Sequence, residues 1–464
     1  MVSALLMLSR PEQLLPVAFA GLTSMSLLLS CNPVEHEVGI ELHSARPTAG
    51  ADQGPPSECD PAGCELELVW LYTVSGSGAQ FGRRVALDGE GSLYFAGEYF
   101  GVAQLADEKI DSSGARSNAF LTRLTEAGSP RWLLNIGSLN EQRVNALALS
   151  AGEPVLSLEY TNGFSIAGLN VPDGTNGALA LVAFDAEGQG RWSQTLHNAD
   201  QFPLEPVTGP ALLAMPDGSL LVAGNHEQPI SIDTQSLPAP PEGQPFGFVM
   251  GLDSQSSVRW LKGTGGRQRW NAAATIATGT VLVGEATGAG GSDILLSWLN
   301  ADGDTLLTRR FGDVGEDAAL SVVVGDGDVV YVTGYVSSSL SLGGATLSHS
   351  GLKDVFVASY AADGSHNWSK TFGSTSDDWG VAARFAADGG LVLIGMQGDA
   401  VNFGSGLVGA FANAFFIATL GSEGTTSSAR AIAMNNGQAT DLAIAADGAL
   451  YVACLLYTSD AADE

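Results

Sequence analysis

From residue 67 onward, short apolar runs alternate with polar turns that are rich in Asp and Gly. Four kinds of run recur in a fixed order, and we name the strands they predict A to D. Strand A carries small residues, strand B resembles Leu-Tyr-Val, strand C resembles Phe-Val, and strand D carries a tryptophan. Strand B recurs at residues 93–97, 220–224, 281–284, 330–334, 391–395 and 450–453, and strand C at residues 119–124, 179–184, 294–298, 355–360 and 415–420. Short apolar runs bounded by turn residues predict an all-β chain.

The tryptophans of strand D give the period of this repeat. They are about 60 residues apart, with Leu307 at the one position where the tryptophan is missing, and they are Trp70, Trp132, Trp192, Trp260 and Trp368. Four strands per long repeat predict the blades of a β-propeller. Small residues in strand A suit the crowded central channel, and a tryptophan in strand D suits packing between neighbouring blades.

The two ends of the repeat region predict how the propeller closes. Residues 67–74 form a strand D with no strands A to C before it, and the last unit has strands A and B but no strand C. We expect the N-terminal strand to complete the last, truncated blade. This gives seven four-stranded blades over residues 67–453 and removes exposed sheet edges.

The fifth unit carries a resemblance to a known family. Residues 329–373 read Val-Val-Tyr-Val-Thr-Gly, Ser-Leu-Gly-Gly-Ala-Thr-Leu, Asp-Val-Phe-Val-Ala-Ser-Tyr-Ala-Ala-Asp-Gly and Trp-Ser-Lys-Thr-Phe-Gly in succession. This pattern resembles the bacterial seven-bladed β-propeller repeat often called SBBP, which is abundant among myxobacterial lipoproteins. The resemblance implies a fold and an exported protein, and it brings no catalytic residues.

The N-terminal region predicts export. Residues 14–30 form a short apolar run that ends in small residues before Cys31, which is typical of a signal peptide. Leu28-Leu29-Ser30-Cys31 resembles a bacterial lipobox, so residues 1–30 are expected to be cleaved and Cys31 lipidated. The predicted location is the outer membrane or surface of a Gram-negative bacterium, with plain secretion as the alternative. Residues 31–66, rich in Pro, Gly and Ser, are expected to form a flexible tether.

The other cysteines have separate interpretations. Cys59 and Cys64 close a short Pro-Gly loop, and we expect a local disulfide if the chain is exported. Two free thiols are the alternative. Residues 454–464 depart abruptly from the strand pattern, and their codons can spell a transposase-based sequencing adapter. We therefore interpret 454–464, with Cys454, as a sequencing artefact and expect the natural chain to continue after Ala453 with a strand C.

Composition narrows the function. The chain has 20 Lys and Arg against 50 Asp and Glu, a net charge of −30, which argues against nucleic acid as a partner. The sequence has no nucleophile elbow, phosphate-binding loop or zinc-protease helix, so no catalytic residue, cofactor or metal site is predicted. The repeated Asp-Gly pairs fit hairpin turns better than calcium loops.

Two classes of function remain. We favour a lipid-anchored binding or scaffold module that engages a protein or a glycan. The alternative is a propeller enzyme of lyase, hydrolase or quinoprotein type, with its catalytic residues on loops.

The two faces of the propeller should differ in their loops. The short A–B and C–D turns should emerge on one face, which we call the turn side. The long B–C segments and D–A links should emerge on the other face, which we call the link side. Long loops on a rigid scaffold favour the link side as the binding surface. Trp270 and Trp379, placed in D–A links, are the candidate binding residues there, and packing against adjacent blades is their alternative role.

Overall fold

The computed structural model describes most of the region that carries the repeat. The described residues are 2–9, 41–43, 66–112, 117–137, 141–174, 178–197, 211–241, 245–288, 290–312, 314–404, 406–409, 413–433 and 437–456. Among them, no helix is long and apolar enough to cross a bilayer.

The strands form seven blades, each with four main strands in the order A, B, C, D. Three strands precede the first complete blade: β1 (Val2–Ser9), β2 (Glu41–His43) and β3 (Glu67–Gly76). Blade 1 contains β4 (Gln80–Leu87), β5 (Leu93–Tyr99), the hairpin β6 (Val102–Leu105) and β7 (Glu108–Asp111), β8 (Asn118–Leu124) and β9 (Pro130–Ile136). Blade 2 contains β10 (Gln142–Ser150), β11 (Glu153–Tyr160), the hairpin β12 (Phe164–Ile166) and β13 (Leu169–Val171), β14 (Ala178–Phe184) and β15 (Gly190–His197).

The middle blades repeat this arrangement. Blade 3 contains β16 (Ala211–Ala214), β17 (Leu220–His226), the hairpin β18 (Ile230–Ile232) and β19 (Gln235–Leu237), β20 (Phe246–Leu252) and β21 (Val258–Gly265). Blade 4 contains β22 (Gln268–Ile276), β23 (Gly279–Thr287), β24 (Gly291–Leu299), β25 (Thr305–Phe311) and the short β26 (Gly315–Glu316). Blade 5 contains β27 (Ala318–Val324), β28 (Val330–Val336), β29 (Asp354–Tyr360) and β30 (His366–Phe372).

The last two blades bring the chain back to its start. Blade 6 contains β31 (Asp378–Phe385), β32 (Leu391–Gln397), the hairpin β33 (Val401–Asn402) and β34 (Leu407–Val408), β35 (Ala414–Leu420) and β36 (Thr426–Ala433). Blade 7 begins with β37 (Gln438–Ile444) and β38 (Leu450–Leu456), and its sheet has the order β37-β38-β1-β3. Strand A of each blade contacts strand A of the next around the whole ring, so the prediction of a seven-bladed propeller is confirmed.

Blade 7 is closed by two N-terminal strands. Strand β3 is its strand D, as predicted, and β1 is its strand C: Leu5 pairs with Ala453 of β38 on one side and with Tyr72 of β3 on the other. Ala4 to Leu8 are all apolar and buried, which suits a strand enclosed between two blades. From the sequence, this run was assigned to the signal peptide only because it precedes residues 14–30, the apolar run on which that prediction rests.

The boundaries of the propeller therefore differ from those predicted. Residues 2–9 belong to blade 7 in the structure, and β38 continues past Ala453 to Leu456. The thiol of Cys454 is fully buried and lies 3.5 Å from the carbonyl oxygen of Ala4. Residues 457–464 lie outside the described residues.

Three of the strand D tryptophans form a hydrogen bond to the following blade. The indole N–H groups of Trp70, Trp132 and Trp368 donate to carbonyl oxygens in the C–D turn of the following blade, at 2.9, 2.8 and 2.7 Å. Each ring covers a glycine of that turn with positive φ: Gly128, Gly188 and Gly424. Leu307 faces Gly364 in the same way, as expected for the missing tryptophan. The predicted packing role is thus confirmed for these residues.

Replacing the glycine under one of these rings should be costly. Gly303 has a φ of +76°, and a Cβ there would lie 2.6 Å from Cη2 of Trp260. We expect Gly303→Ala to lower the free energy of unfolding by about 3 kcal/mol, since backbone strain and the clash add. Gly152→Ala is the control: its φ is +83° with no atom within 4 Å, so only strain of about 1 kcal/mol is expected. Equal losses in chemical denaturation would disprove the contact.

Candidate functional site: the central channel

Strand A carries a β-bulge at the same place in six blades. The pairing with strand B shifts register between Gly82 and Arg84, Val144 and Ala146, Trp270 and Ala272, Ala319 and Ser321, Gly380 and Ala382, and Ala439 and Asp441. A bulge redirects the side chains next to it. Asn271 Nδ2 donates to the carbonyl of Ala319 in the next blade at 2.9 Å, and Thr440 Oγ1 donates to that of Gly82 at 2.8 Å. The bulges therefore tie neighbouring strands A together around the channel.

From the bulges towards the turn side, the channel contains an open cavity of about 510 Å³. All seven blades contribute residues from strand A to its wall. Blades 2 to 5 supply mainly small and aliphatic side chains, in residues 146–149, 211–214, 272–274 and 322–324. This volume lies within the usual range for small-molecule pockets.

The wall formed by blades 6, 7 and 1 is charged. Arg384 Nη2 donates to Oδ1 of Asp441 at 3.2 Å, and its Nη1 donates to the carbonyl of Ala383 at 2.8 Å. Asp441 also accepts the backbone N–H groups of Leu442 at 2.9 Å and Val85 at 3.2 Å. The carboxylate is thus held by strands A of three blades. The cavity has an apolar wall opposite a charged one.

Arg84 is the second guanidinium in this wall. Its Nη1 donates to the carbonyl of Arg83 at 2.9 Å, and the described residues offer it no ion-pair partner within 4 Å. Burial lowers the pKa of Arg84 from its ordinary value, while the charge of Asp441 opposes this change. Arginine keeps its proton in proteins even so, and the wall therefore carries two positive charges and one negative charge.

The structure separates the predicted binding tryptophans from this cavity. Trp270 is the third residue of β22 and is only 2% exposed, with its indole N–H 3.2 Å from Oγ1 of Thr264. Trp270 therefore takes its alternative role, packing between blades 3 and 4 with Leu221 and Val249, and is not exposed for binding. Trp379, the second residue of β31, is half-buried and packs against the apolar cluster between blades 6 and 7. Both belong to strands A rather than to D–A links, two blades apart.

The remaining predicted positions cannot be placed. Cys31, Cys59 and Cys64 lie outside the described residues, so the lipidation site and the disulfide stay predictions. Sequence reasoning missed Arg84, Arg384 and Asp441. The available signal was a charged side chain after the bulge of strand A, where the other blades carry mostly small and aliphatic residues. In the described part of the chain, no three His, Cys, Asp or Glu side chains come together as metal ligands.

Two buried carboxyl groups lie at the link side, away from the cavity. Asp317 is fully buried and accepts the backbone N–H of Ser337 at 2.7 Å. Asp378, also fully buried, accepts N–H groups from Ser374 at 2.6 Å and Gly398 at 2.9 Å. Burial raises the pKa of each to about 6 despite these bonds. Each carboxyl group lies at the start of a strand A and holds neighbouring backbone through these hydrogen bonds.

These carboxyl groups should make the propeller less stable as pH rises. A raised pKa means that the folded state binds more protons than the unfolded state between about pH 4 and 6. We therefore expect the free energy of unfolding to fall across this window, by up to about 3 kcal/mol for each group. Asp317→Asn and Asp378→Asn should each flatten the pH dependence of urea denaturation. Asp363→Asn is the control: bonds from Ser365 lower the pKa of Asp363, so this group stabilises the fold as pH rises only below about pH 4 and should leave the slope between pH 4 and 6 unchanged. An unchanged slope in both link-side variants would contradict this assignment.

Comparisons with known proteins identify no family for this chain. No family model matches the chain, and the search of curated proteins finds no match. The WD40 domain of Pan2 from Neurospora crassa is 8% identical over 82% of this chain and 90% of that chain, with a TM-score of 0.44. Sqt1 from Chaetomium thermophilum is 13% identical over 82% and 96%, with a TM-score of 0.37. A gluconolactonase from Xanthomonas campestris is 14% identical over 68% and 94%, with a TM-score of 0.30. Such distant similarity carries no argument about ligand or activity.

Proposed function

We propose that this propeller is a binding module whose ligand occupies the central channel. The observation that carries the proposal is the cavity of about 510 Å³, which has an apolar wall on blades 2 to 5 and a charged wall on blades 6, 7 and 1. Pockets for small organic ligands combine apolar side chains with fixed polar groups. Here aliphatic residues of blades 2 to 5 face the charged groups, and the exposed lining as a whole is more polar than apolar. A rigid ring of strands A holds those groups in place.

The polar groups of the cavity favour binding over catalysis. Ser321 Oγ accepts the N–H of Ala383 at 3.2 Å, and the Thr440 hydroxyl donates to a backbone carbonyl. Asp441 is held by Arg384 and two backbone N–H groups. The residues that line the cavity include no His, Cys, Lys, Tyr or Glu, so no activated nucleophile is paired with a base there.

A neutral fluorescent probe tests whether the channel takes up an apolar ligand. N-phenyl-1-naphthylamine should bind the folded protein and become fluorescent. Ala273→Phe, which fills the cavity from blade 4, should abolish binding, whereas Ala301→Phe in the exposed C–D turn of the same blade should not. Equal binding by both variants would show that the channel is not the site.

The cellular location is a separate part of the proposal. The lipobox-like Leu28-Leu29-Ser30-Cys31 supports export and anchoring through Cys31. We expect mass spectrometry of the mature protein to show an acylated N-terminal cysteine. The Cys31→Ala variant should no longer be found in the membrane fraction. An unmodified Met1 terminus would refute this. Cleavage there would also remove β1, so the third strand of blade 7 would then have to come from another segment.

A further inference from the structure

The charged wall of the channel has a surplus of positive charge in a strongly acidic protein. The chain has a net charge of −30, yet Arg84 and Arg384 share the cavity with the single carboxylate of Asp441. The charge of Glu98 also acts on Arg84, but Glu98 does not line the cavity. Arg83 binds it at 3.1 Å, and the N–H of Val144 donates to it at 2.8 Å. Glu98 is therefore committed to the contact between blades 1 and 2.

Asp441 is also fully engaged. Its two oxygens accept from Arg384, Leu442 and Val85, and the residue is 9% exposed. Arg384 uses both of its terminal nitrogens on Asp441 and on the carbonyl of Ala383. Arg84 has one backbone acceptor, and the described residues supply it with no other. Its remaining N–H groups are available to a ligand in the cavity.

We propose that the channel binds an organic monoanion with an apolar body, whose anionic group is held by Arg84 with Arg384 beside it. This inference rests on the proposed function, because it names the class of ligand for the same cavity. A guanidinium offers two parallel N–H groups to a carboxylate or sulfonate. The cavity wall has one more positive than negative charge, which matches a ligand with a single negative charge. The aliphatic wall opposite, formed by residues such as Leu149, Leu213 and Val322, covers the apolar body.

Two matched dyes separate this inference from the proposed function. 8-Anilinonaphthalene-1-sulfonate is N-phenyl-1-naphthylamine with one added sulfonate, so the pair differs by a single anionic group. We expect the wild-type protein to bind the anionic dye at least tenfold more tightly than the neutral dye at low salt. Raising the salt concentration should reduce this preference, because screening weakens the ionic contact.

Arg84→Gln should weaken the binding of the anionic dye until the two affinities lie within threefold of each other. Arg191→Gln is the control, since Arg191 pairs with Glu153 and is largely exposed, outside the cavity. Near-ultraviolet circular dichroism checks that the variants are folded. If wild type binds both dyes equally and Ala273→Phe blocks both, the anion preference is wrong and the binding module stands. If Ala273→Phe blocks neither dye, both proposals fall.

Discussion

Replacing Arg83 with methionine should destabilise the propeller by about 3–5 kcal/mol, because it leaves the carboxylate of Glu98 buried without its partner. Arg83 and Glu98 are 7% and 3% exposed, and two hydrogen bonds of 3.3 and 3.1 Å join them. Glu98 also accepts the N–H of Val144 from blade 2. Chemical denaturation monitored by tryptophan fluorescence would measure the loss.

Two control variants show whether burial is the cause. Arg83→Met combined with Glu98→Gln should recover much of the loss, because a neutral amide oxygen can still accept from Val144. Arg269 and Glu285 form a similar pair between strands A and B of blade 4, at 3.4 Å, but their side chains are 20% and 17% exposed. Arg269→Met should therefore cost about 1 kcal/mol. Equal losses for Arg83→Met and Arg269→Met would contradict the prediction.

The repeat could be predicted from the sequence because its signals are local. Strands B and C are apolar runs between turn residues, and Trp132 or Trp368 marks strand D at a regular spacing. Leu307 could be placed by spacing alone, and the structure puts it against Gly364 as the tryptophans lie against their glycines. Residues 67–74 could be predicted to supply strand D of the last blade, because that blade lacked a strand D and this strand lacked a blade.

The channel site could not be predicted in the same way. Whether Arg84 faces the cavity depends on a bulge between Gly82 and Arg84, and a bulge leaves no mark in the alternation of apolar and polar residues. The approach of Arg384 to Asp441 depends on neighbouring strands A that are 57 positions apart in sequence. Trp270 was predicted to lie in a D–A link, but strand A of blade 4 already begins at Gln268. The bulge between Trp270 and Ala272 interrupts the alternation of side chains, so the first residues of the strand were not recognised as part of it.

The role of residues 2–9 was missed because the leader was identified from residues 14–30, the longer apolar run, and everything before Cys31 was assigned to it. A strand enclosed between two blades needs apolar side chains on both faces, which Ala4 to Leu8 supply. This run is shorter than the apolar part of a leader. Pairing with Val452 and Leu71, which the structure shows for Leu6, is a long-range property that composition does not encode.

Replacing Leu6 with aspartate should therefore destabilise the unprocessed full-length chain by at least about 4 kcal/mol. Leu6 is fully buried in the cluster that joins blade 7 to Val392 and Ile394 of blade 6, where a carboxylate would find no water. Leu306→Asp is the matched control, because Leu306 is 61% exposed in β25 and its replacement should cost less than about 0.5 kcal/mol. Both variants would be expressed in the cytoplasm of the host, so that no leader is removed. Differential scanning calorimetry would then measure the difference in stability. Identical melting of the two variants would show that β1 contributes nothing to blade 7, and the third strand of that blade would then have to be sought elsewhere in the protein.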